Sequence, residues 1–218
     1  MDPQLWTTFP ALTDLPHGFT LRHPTIDVAA DRAEVLARLA SWHGEIAGEL
    51  GFSPGALRTA TQVHGREVAA VDAASPSTTP DADGLITNTP GIVLGIYVAD
   101  CCAVFLADRR TGAIGLVHAG KKGTELGIVP NAIRLMGENY GSRPEDITVQ
   151  LSPCIRPPVF EVDFAADLRS QSLETGILPQ HLHDGGVCTT SDSARYYSYR
   201  LEKGRTGRML ALLGKRAA

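Results

Sequence analysis

Three short segments place metal-ligand side chains beside glycine or at the end of an apolar run. They are Thr61-Gln62-Val63-His64-Gly65, Ala99-Asp100-Cys101-Cys102 and Val117-His118-Ala119-Gly120. A side chain at a strand end converges readily on a cleft, and a neighbouring glycine lets the backbone approach a ligand closely. Two imidazoles and a thiolate are donors that zinc prefers, and three protein ligands leave a fourth tetrahedral position open. The separations between His64, Cys101 and His118 fit no short zinc motif. From the residues alone two readings stand: an open zinc site, or a buried thiol with two hydrogen-bonded histidines.

The elements that must position these groups are partly legible. Val35, Leu39, Trp42, Ile46 and Leu50 form one helical stripe, with Asp31 as N-cap and Gly51 as the left-handed stop. Ser75–Pro80 reads as a polar loop. The runs Ile92–Val98, Ala103–Ala107 and Ala113–Val117 read as buried strands of a sheet, the last two as a hairpin about Arg109–Gly112. A second stripe, Leu126, Val129, Ile133, Met136 and Tyr140, predicts a helix closed by Gly141, with Pro130 in its first turns. Ile147–Leu151 is another strand, 168–173 is helical, and Arg195–Leu201 and Arg208–Leu213 read as late strands. No repeat or linker is evident. The expectation is an α+β (mixed α/β) fold, one domain over 1–218 with packed mixed β-sheets flanked by helices.

The 218 residues carry 20 Lys+Arg against 24 Asp+Glu, a net charge of −4, with 43% hydrophobic and 20% charged residues. That balance excludes disorder, collagen-like repeats and a disulfide-dense scaffold. It also argues against a broad nucleic-acid surface while leaving room for a local basic pocket. The longest apolar stretch, Ile92–Val98, is far shorter than a membrane helix. The opening MDPQLWTTFP has an acid at position 2 and no basic region, so it does not read as a secretory leader. Adjacent Cys101 and Cys102, with Cys154 and Cys188 apart, do not form a disulfide framework. A cytoplasmic protein, monomeric by default, is expected.

Taken in order, TQVHG, ADC after an apolar strand and HAG-x-x-GT resemble the laccase-domain, or multicopper polyphenol oxidase-like, family. Its members are also described as zinc-dependent purine nucleoside phosphorylases with adenosine deaminase activity, and as related to peptidoglycan editing factors. His17-Gly18-Phe19-Thr20-x-Arg22 is similar to the family's HGFSTR, and Asp81–Thr87 to its DADALVT. Ser152–Ile155 with Phe160–Val162 resembles GPSIG…YEV, Cys188-Thr189 and Tyr197–Arg200 resemble CT…FFSYR, and Gly207-Arg208 the closing GR.

The resemblance implies one zinc ion held by His64, Cys101 and His118. Cys102 points to the other side of an extended chain, toward the core. It also implies phosphorolysis of adenosine, inosine or methylthioadenosine, adenosine deamination by a zinc-activated water, or both. Nucleoside and phosphate are then the partners. Arg22, Lys121 and Lys122 are candidate substrate cations, with Arg200 behind them. Gln62 is a candidate hydrogen-bonding group, Asp100 a partner to the metal site or a proton carrier, and Glu161 an acid–base group or a structural ion pair. The family's HAGWRG is HAGKKG here and its ADCxP is ADCCA, so an aromatic face, an arginine fork and a proline are replaced. Seven histidines with a single His-x-His pair, His181 and His183, do not supply a multicopper centre. Two alternatives remain. One is a cysteine hydrolase using Cys101 and His118, for example on cell-wall precursors. The other is a non-catalytic zinc-stabilised domain, its fourth ligand drawn from Cys154, Cys188, His17 or His23.

Overall fold

The computed structural model describes residues 5–217. The acid at position 2 that weighs against a leader therefore lies outside the described residues. In chain order the elements are β1 (Trp6–Thr7), β2 (His17–Thr20), α1 (Arg32–Glu49), β3 (Leu57–Ala60), β4 (Val68–Ala70), β5 (Thr78–Thr79) and β6 (Gly84–Thr87). There follow β7 (Ile92–Val98), β8 (Cys102–Asp108), β9 (Ile114–Ala119), α2 (Lys121–Glu125), α3 (Ile128–Tyr140) and β10 (Ile147–Leu151). The chain closes with α4 (Phe164–Glu174), β11 (Leu182–Asp184) and β12 (Met209–Lys215).

The strands form two six-stranded mixed sheets, ordered β1-β2-β12-β7-β3-β5 and β11-β10-β8-β9-β6-β4. Side chains alternate across each strand, and the second sheet thereby contributes to two cores. In β8, Ala103, Phe105 and Ala107 join Phe19, Leu94 and Ile96 of the first sheet, while Cys102, Val104 and Leu106 join Ala132, Ile133 and Met136 of α3 and Leu168 of α4. Helix α1 lies on the far face of the first sheet, where Leu50 approaches Gly18 and the His43 ring stands 5.6 Å from that of Tyr97. The mixed α/β class with helices flanking packed sheets is therefore the observed one. Among the described residues no helix is long and apolar enough to cross a membrane.

Helix α1 has the expected ends: the Asp31 carboxylate accepts from the Glu34 N–H, and Gly51 adopts φ 90°. The β8–β9 hairpin is present, pairing Cys102 with Ala119 and Ala107 with Ile114. Four expectations change. β7 belongs to the first sheet and not to the one holding β8 and β9, because strands apolar on both faces do not reveal their partner. Ser75–Pro80 includes β5, whose Thr78 and Thr79 pair in parallel with Thr59 and Ala60. Leu126 ends α2, and Gly127 at φ 72° separates it from α3, so the predicted stripe spans two helices. Arg195–Leu201 is not a strand; it winds through turns in which buried Tyr197 lies against Met209 of β12 and buried Ser198 donates to Asp100.

Among the described residues His43 is the one buried imidazole with neither ring nitrogen hydrogen-bonded. Burial alone drives its pKa from 6.5 down to about 3. The folded-state value lies below the unfolded one, so the unfolded chain takes up the proton first and stability falls as pH drops below 6.5. Between pH 7 and pH 5 this loss amounts to about 2 kcal/mol. His43→Leu should remove it, and urea unfolding at the two pH values should show a smaller acid loss than in the wild type. Equal losses would dissociate His43 from the acid sensitivity.

Candidate metal centre

The three sequence segments meet where the chain passes between the sheets. β7 ends at Val98 in the first sheet and β8 begins at Cys102 in the second, so Ala99, Asp100 and Cys101 make the whole crossing. Asp100 takes φ 80° there, a left-handed conformation that Asp tolerates better than most residues. Its carboxylate accepts from Thr189 Oγ1 at 2.6 Å, Ser198 Oγ at 3.0 Å and the Arg200 N–H at 2.7 Å. The crossing thus delivers the Cys101 thiol at a fixed point.

His118 occupies β9 opposite Ala103, on the face turned toward the first sheet. His64 lies in the turn after β3, exposed and at φ 59°. Asp83, fully buried just before β6, organises both histidines. Its Oδ2 accepts from the Val63 N–H at 3.1 Å and the Gly65 N–H at 2.7 Å, and its Oδ1 from the His64 N–H at 3.0 Å. Oδ1 also lies 2.8 Å from His118 Nδ1, while the Asp83 carbonyl accepts from the His118 N–H at 2.7 Å. Four donors to one carboxylate offset the large desolvation of a buried charge. A proton held on Nδ1 leaves Nε2 of His118 for a ligand.

One donor atom each from His64, Cys101 and His118 lies within 4.8 Å of the others, the one such group of three or more among the described residues. The two imidazole rings are 4.8 Å apart, edge to face. Burial pushes the Cys101 thiol up, but His118 and then His64 outweigh it and bring it to about 6. Burial likewise lowers His118, yet the Cys101 thiolate and the Asp83 carboxylate carry it up to about 9. The trio is therefore a thiolate facing imidazolium held by carboxylate, an electron-rich set that a divalent cation can bind once the imidazole proton leaves. Gly120 keeps the space open: a Cβ there would stand 2.7 Å from Cys101 Sγ. Two nitrogens and one sulfur with no fourth protein donor suit zinc in an open site.

The trio lines a cavity of about 740 Å³. Tyr97, Phe160, Phe164 and Tyr199 provide its aromatic surfaces, and Arg32, Lys121, Arg200 and Arg208 its cations. Of the sequence candidates, Gln62 lines the cavity but uses both ends of its amide on Tyr97, donating to its carbonyl at 2.7 Å and accepting from its N–H at 3.1 Å. Asp100 lines it too, as the clamp of the crossing and not as a partner of a histidine; Asp83 has that role. Arg22 is not brought to the cavity. It pairs with Glu202 at 2.7 Å and lies 4.5 Å over the Tyr197 ring. Lys121, at the start of α2, lines the cavity, whereas Lys122 next to it does not. Arg200 does, with Glu161 at 3.4 Å.

The proposed fourth ligands stay away. His17 Nε2 accepts from the Phe9 N–H, His23 Nδ1 from the Ile26 N–H, Cys154 sits with Cys102 in the second core, and Cys188 meets Thr190 Oγ1. His183 lies in β11, so the His181–His183 pair is not a free loop. Sequence reasoning assigned no role to Asp83, Arg32, Tyr97 or Arg208. The available signals were an acid two residues after Asp81 and before Gly84, and an arginine preceding the final apolar strand.

A family model described as multi-copper polyphenol oxidoreductase laccase matches residues 25–172 and 162–216. The chain is 34% identical over 231 residues to a purine nucleoside phosphorylase of Deinococcus radiodurans, covering 92% of this chain and 89% of that protein. It is 29% identical over 232 residues to purine nucleoside phosphorylase YlmD of Geobacillus stearothermophilus, covering 88% and 82%. The crystal structure of YlmD from Geobacillus stearothermophilus superposes with a TM-score of 0.85 at 25% identity, covering 100% of this chain and 98% of that one. The Bacillus licheniformis hypothetical protein YfiH shares the fold, with a TM-score of 0.87 at 20% identity over 99% and 98% of the two chains.

Asp83→Asn keeps the shape and removes the charge that orients both histidines. Its affinity for zinc, read by chelator competition, should fall about 10- to 100-fold. Gly120→Ala should weaken zinc as strongly by displacing the thiol, with thermal unfolding of the zinc-free protein little changed. Unaltered zinc affinity in both variants would remove the metal centre.

Proposed function

Because the chain belongs to the multi-copper polyphenol oxidoreductase laccase family, and relatives along most of its length are named purine nucleoside phosphorylases, we propose that it is a zinc-dependent enzyme acting on purine nucleosides. The reactions are phosphorolysis of adenosine, inosine and methylthioadenosine, and deamination of adenosine. The observation that carries this reading is a metal-ready trio opening into a cavity with aromatic walls and several cations. Copper oxidation is not proposed despite the family's description, since one group of two histidines and a cysteine does not build a multinuclear copper cluster.

His64, Cys101 and His118 would hold the zinc, which when bound supplies Lewis acidity at the reacting end of the cavity. Asp83 keeps the proton on His118 Nδ1, and Cys101 stays a thiolate at neutral pH. Phe160, Phe164 and Tyr199 offer faces against which a purine stacks, an offset for the tryptophan that HAGKKG lacks. In phosphorolysis a phosphate oxygen bonds to C1′ of the ribose. The N-glycosidic bond breaks, its electron pair leaves with the purine, which takes up the proton lost by the phosphate, and ribose 1-phosphate, or its 5-methylthio form from methylthioadenosine, is produced. In deamination water adds at C6 and ammonia leaves, so the same seat serves both reactions. The chain is read as a single domain over 1–218. Four free thiols support a reducing, cytoplasmic setting.

One observation favours a second reading. Cys101, His118 and Asp83 also form a thiolate, imidazole and carboxylate series, the arrangement of a cysteine hydrolase acting, for example, on cell-wall precursors. His64 has no task in that scheme, which places it second.

Incubation with adenosine, inosine and methylthioadenosine, with and without phosphate, tests the proposal. Phosphate-dependent release of base is expected from the first two and from the methylthio substrate, and phosphate-independent inosine from adenosine. Cys101→Ala or removal of zinc should lower each rate by at least about 100-fold. Full activity in protein shown to contain no zinc would favour the hydrolase, and turnover untouched by Cys101→Ala would remove both readings.

A further inference from the structure

Many arginines in this molecule are matched by acids: Arg38 by Asp27 and Glu34, Arg110 and Arg143 by Asp146, Arg156 by Asp184. Arg32 and Arg208 are not, and unlike Arg58, which spends its guanidinium on four backbone carbonyls, they face a cavity. Both line the metal cavity, and among the described residues neither has a carboxylate within ion-pair distance. Arg32 Nη1 donates to the Gln62 carbonyl at 3.2 Å, and Arg208 Nη1 to the carbonyls of Thr206 at 2.8 Å and Gly207 at 2.9 Å. Those bonds fix the guanidinium groups and leave other N–H donors of each fork without acceptors among the described residues. The Arg208 guanidinium is further held 5.9 Å from the centre of the Tyr199 ring.

The two charges act on each other. Burial, and after it the charge of Arg32, lowers the pKa of Arg208 against smaller opposing pulls from Tyr199, Cys101 and Asp100. Holding two like charges beside one cavity is unfavourable unless an anion joins them. The outer cations are differently placed. Arg200 lies against Glu161, whose carboxyl also feels Lys121, so an internal acid already counters that pair. Of the three arginines that line the cavity, Arg32 and Arg208 are the two without an ion-paired carboxylate among the described residues.

We propose that Arg32 and Arg208 together form an oxyanion subsite that takes a tetrahedral, doubly charged phosphate group. Paired planar forks match the oxygens of such a group better than lysines do. The inference rests on the phosphorolytic reading for its role, since it seats the attacking phosphate. It also displaces Arg22 and Lys122 from that task. The phosphate group can arrive as inorganic phosphate or as part of a nucleotide, and the test separates the two sources.

The zinc-loaded protein is titrated calorimetrically with inorganic phosphate and, separately, with adenosine 5′-monophosphate and adenosine. Arg32→Gln and Arg208→Gln should each weaken phosphate binding at least about 10-fold, and raise the KM for phosphate by a similar factor. Arg208→Lys should recover part of the loss, and adenosine affinity without phosphate should move less than about 2-fold in all three. Arg134→Gln, on the exposed side of α3 where the native arginine pairs with Glu138 away from the cavity, should leave phosphate affinity within the same margin. Arginine-dependent binding of the monophosphate without binding of inorganic phosphate would support the subsite and assign it to esters. Arginine-dependent phosphate binding with no nucleoside turnover would uphold the subsite and defeat phosphorolysis. Phosphate-dependent turnover with unchanged phosphate affinity in both glutamine variants would uphold phosphorolysis and defeat the subsite. Absence of binding of either phosphate compound to the wild type would overturn the subsite outright.

Discussion

The buried carboxylate of Asp83 is the interaction on which the centre depends. A lone carboxylate at this depth would be too costly to keep ionised; here it has three backbone N–H donors and an imidazole. Those donors belong to separate parts of the chain. The turn at Val63–Gly65 leaves β3 of the first sheet, whereas His118 is built into β9 of the second. One side chain therefore fixes where the two sheets stand relative to each other at this end. It also holds the left-handed backbone at His64, which for a histidine is unfavourable without such support.

The second fixed point is the three-residue passage from β7 to β8. Its shortness dictates that Cys101 emerges beside the sheet junction, and its left-handed Asp100 is held by Thr189, Ser198 and the Arg200 backbone. The segment from Cys188 to Arg200 has little regular structure of its own because its work is this clamp. Polar atoms of Asp100 that look available to chemistry in the sequence are engaged in shaping the chain.

Local pattern made the strands β7, β8 and β9, the helix α1 with both its ends, and the β8–β9 hairpin readable. Residue type and resemblance together singled out His64, Cys101 and His118, and the fold brings these three together. Sheet membership was not readable, since runs apolar on both faces carry no label for their neighbour. Arg195–Leu201 looked like a strand because tyrosines favour strands, yet its backbone bonds serve turns. The largest gap concerned residues whose meaning arises only across long chain separations. Asp83 is an ordinary loop acid until His118 and the 63–65 turn reach it. Arg22 and Arg208 both lie beside a strand end, and the fold gives Glu202 to the one and a place in the cavity to the other.

The assembly of the trio from both sheets bears on when the protein becomes chemically dangerous to itself. A thiol on an unfolded chain titrates near 8.5 and is mostly protonated in a neutral cell. Cys101 falls to about 6 only in the company of His118 and His64. Since one imidazole rides on the second sheet and the other on an excursion from the first, a chain still emerging or half-assembled holds a comparatively inert sulfur. Reactivity thus depends on tertiary docking, and oxidants or stray electrophiles meet an activated sulfur only in the assembled cavity. The architecture acts as a built-in delay on its own most vulnerable atom.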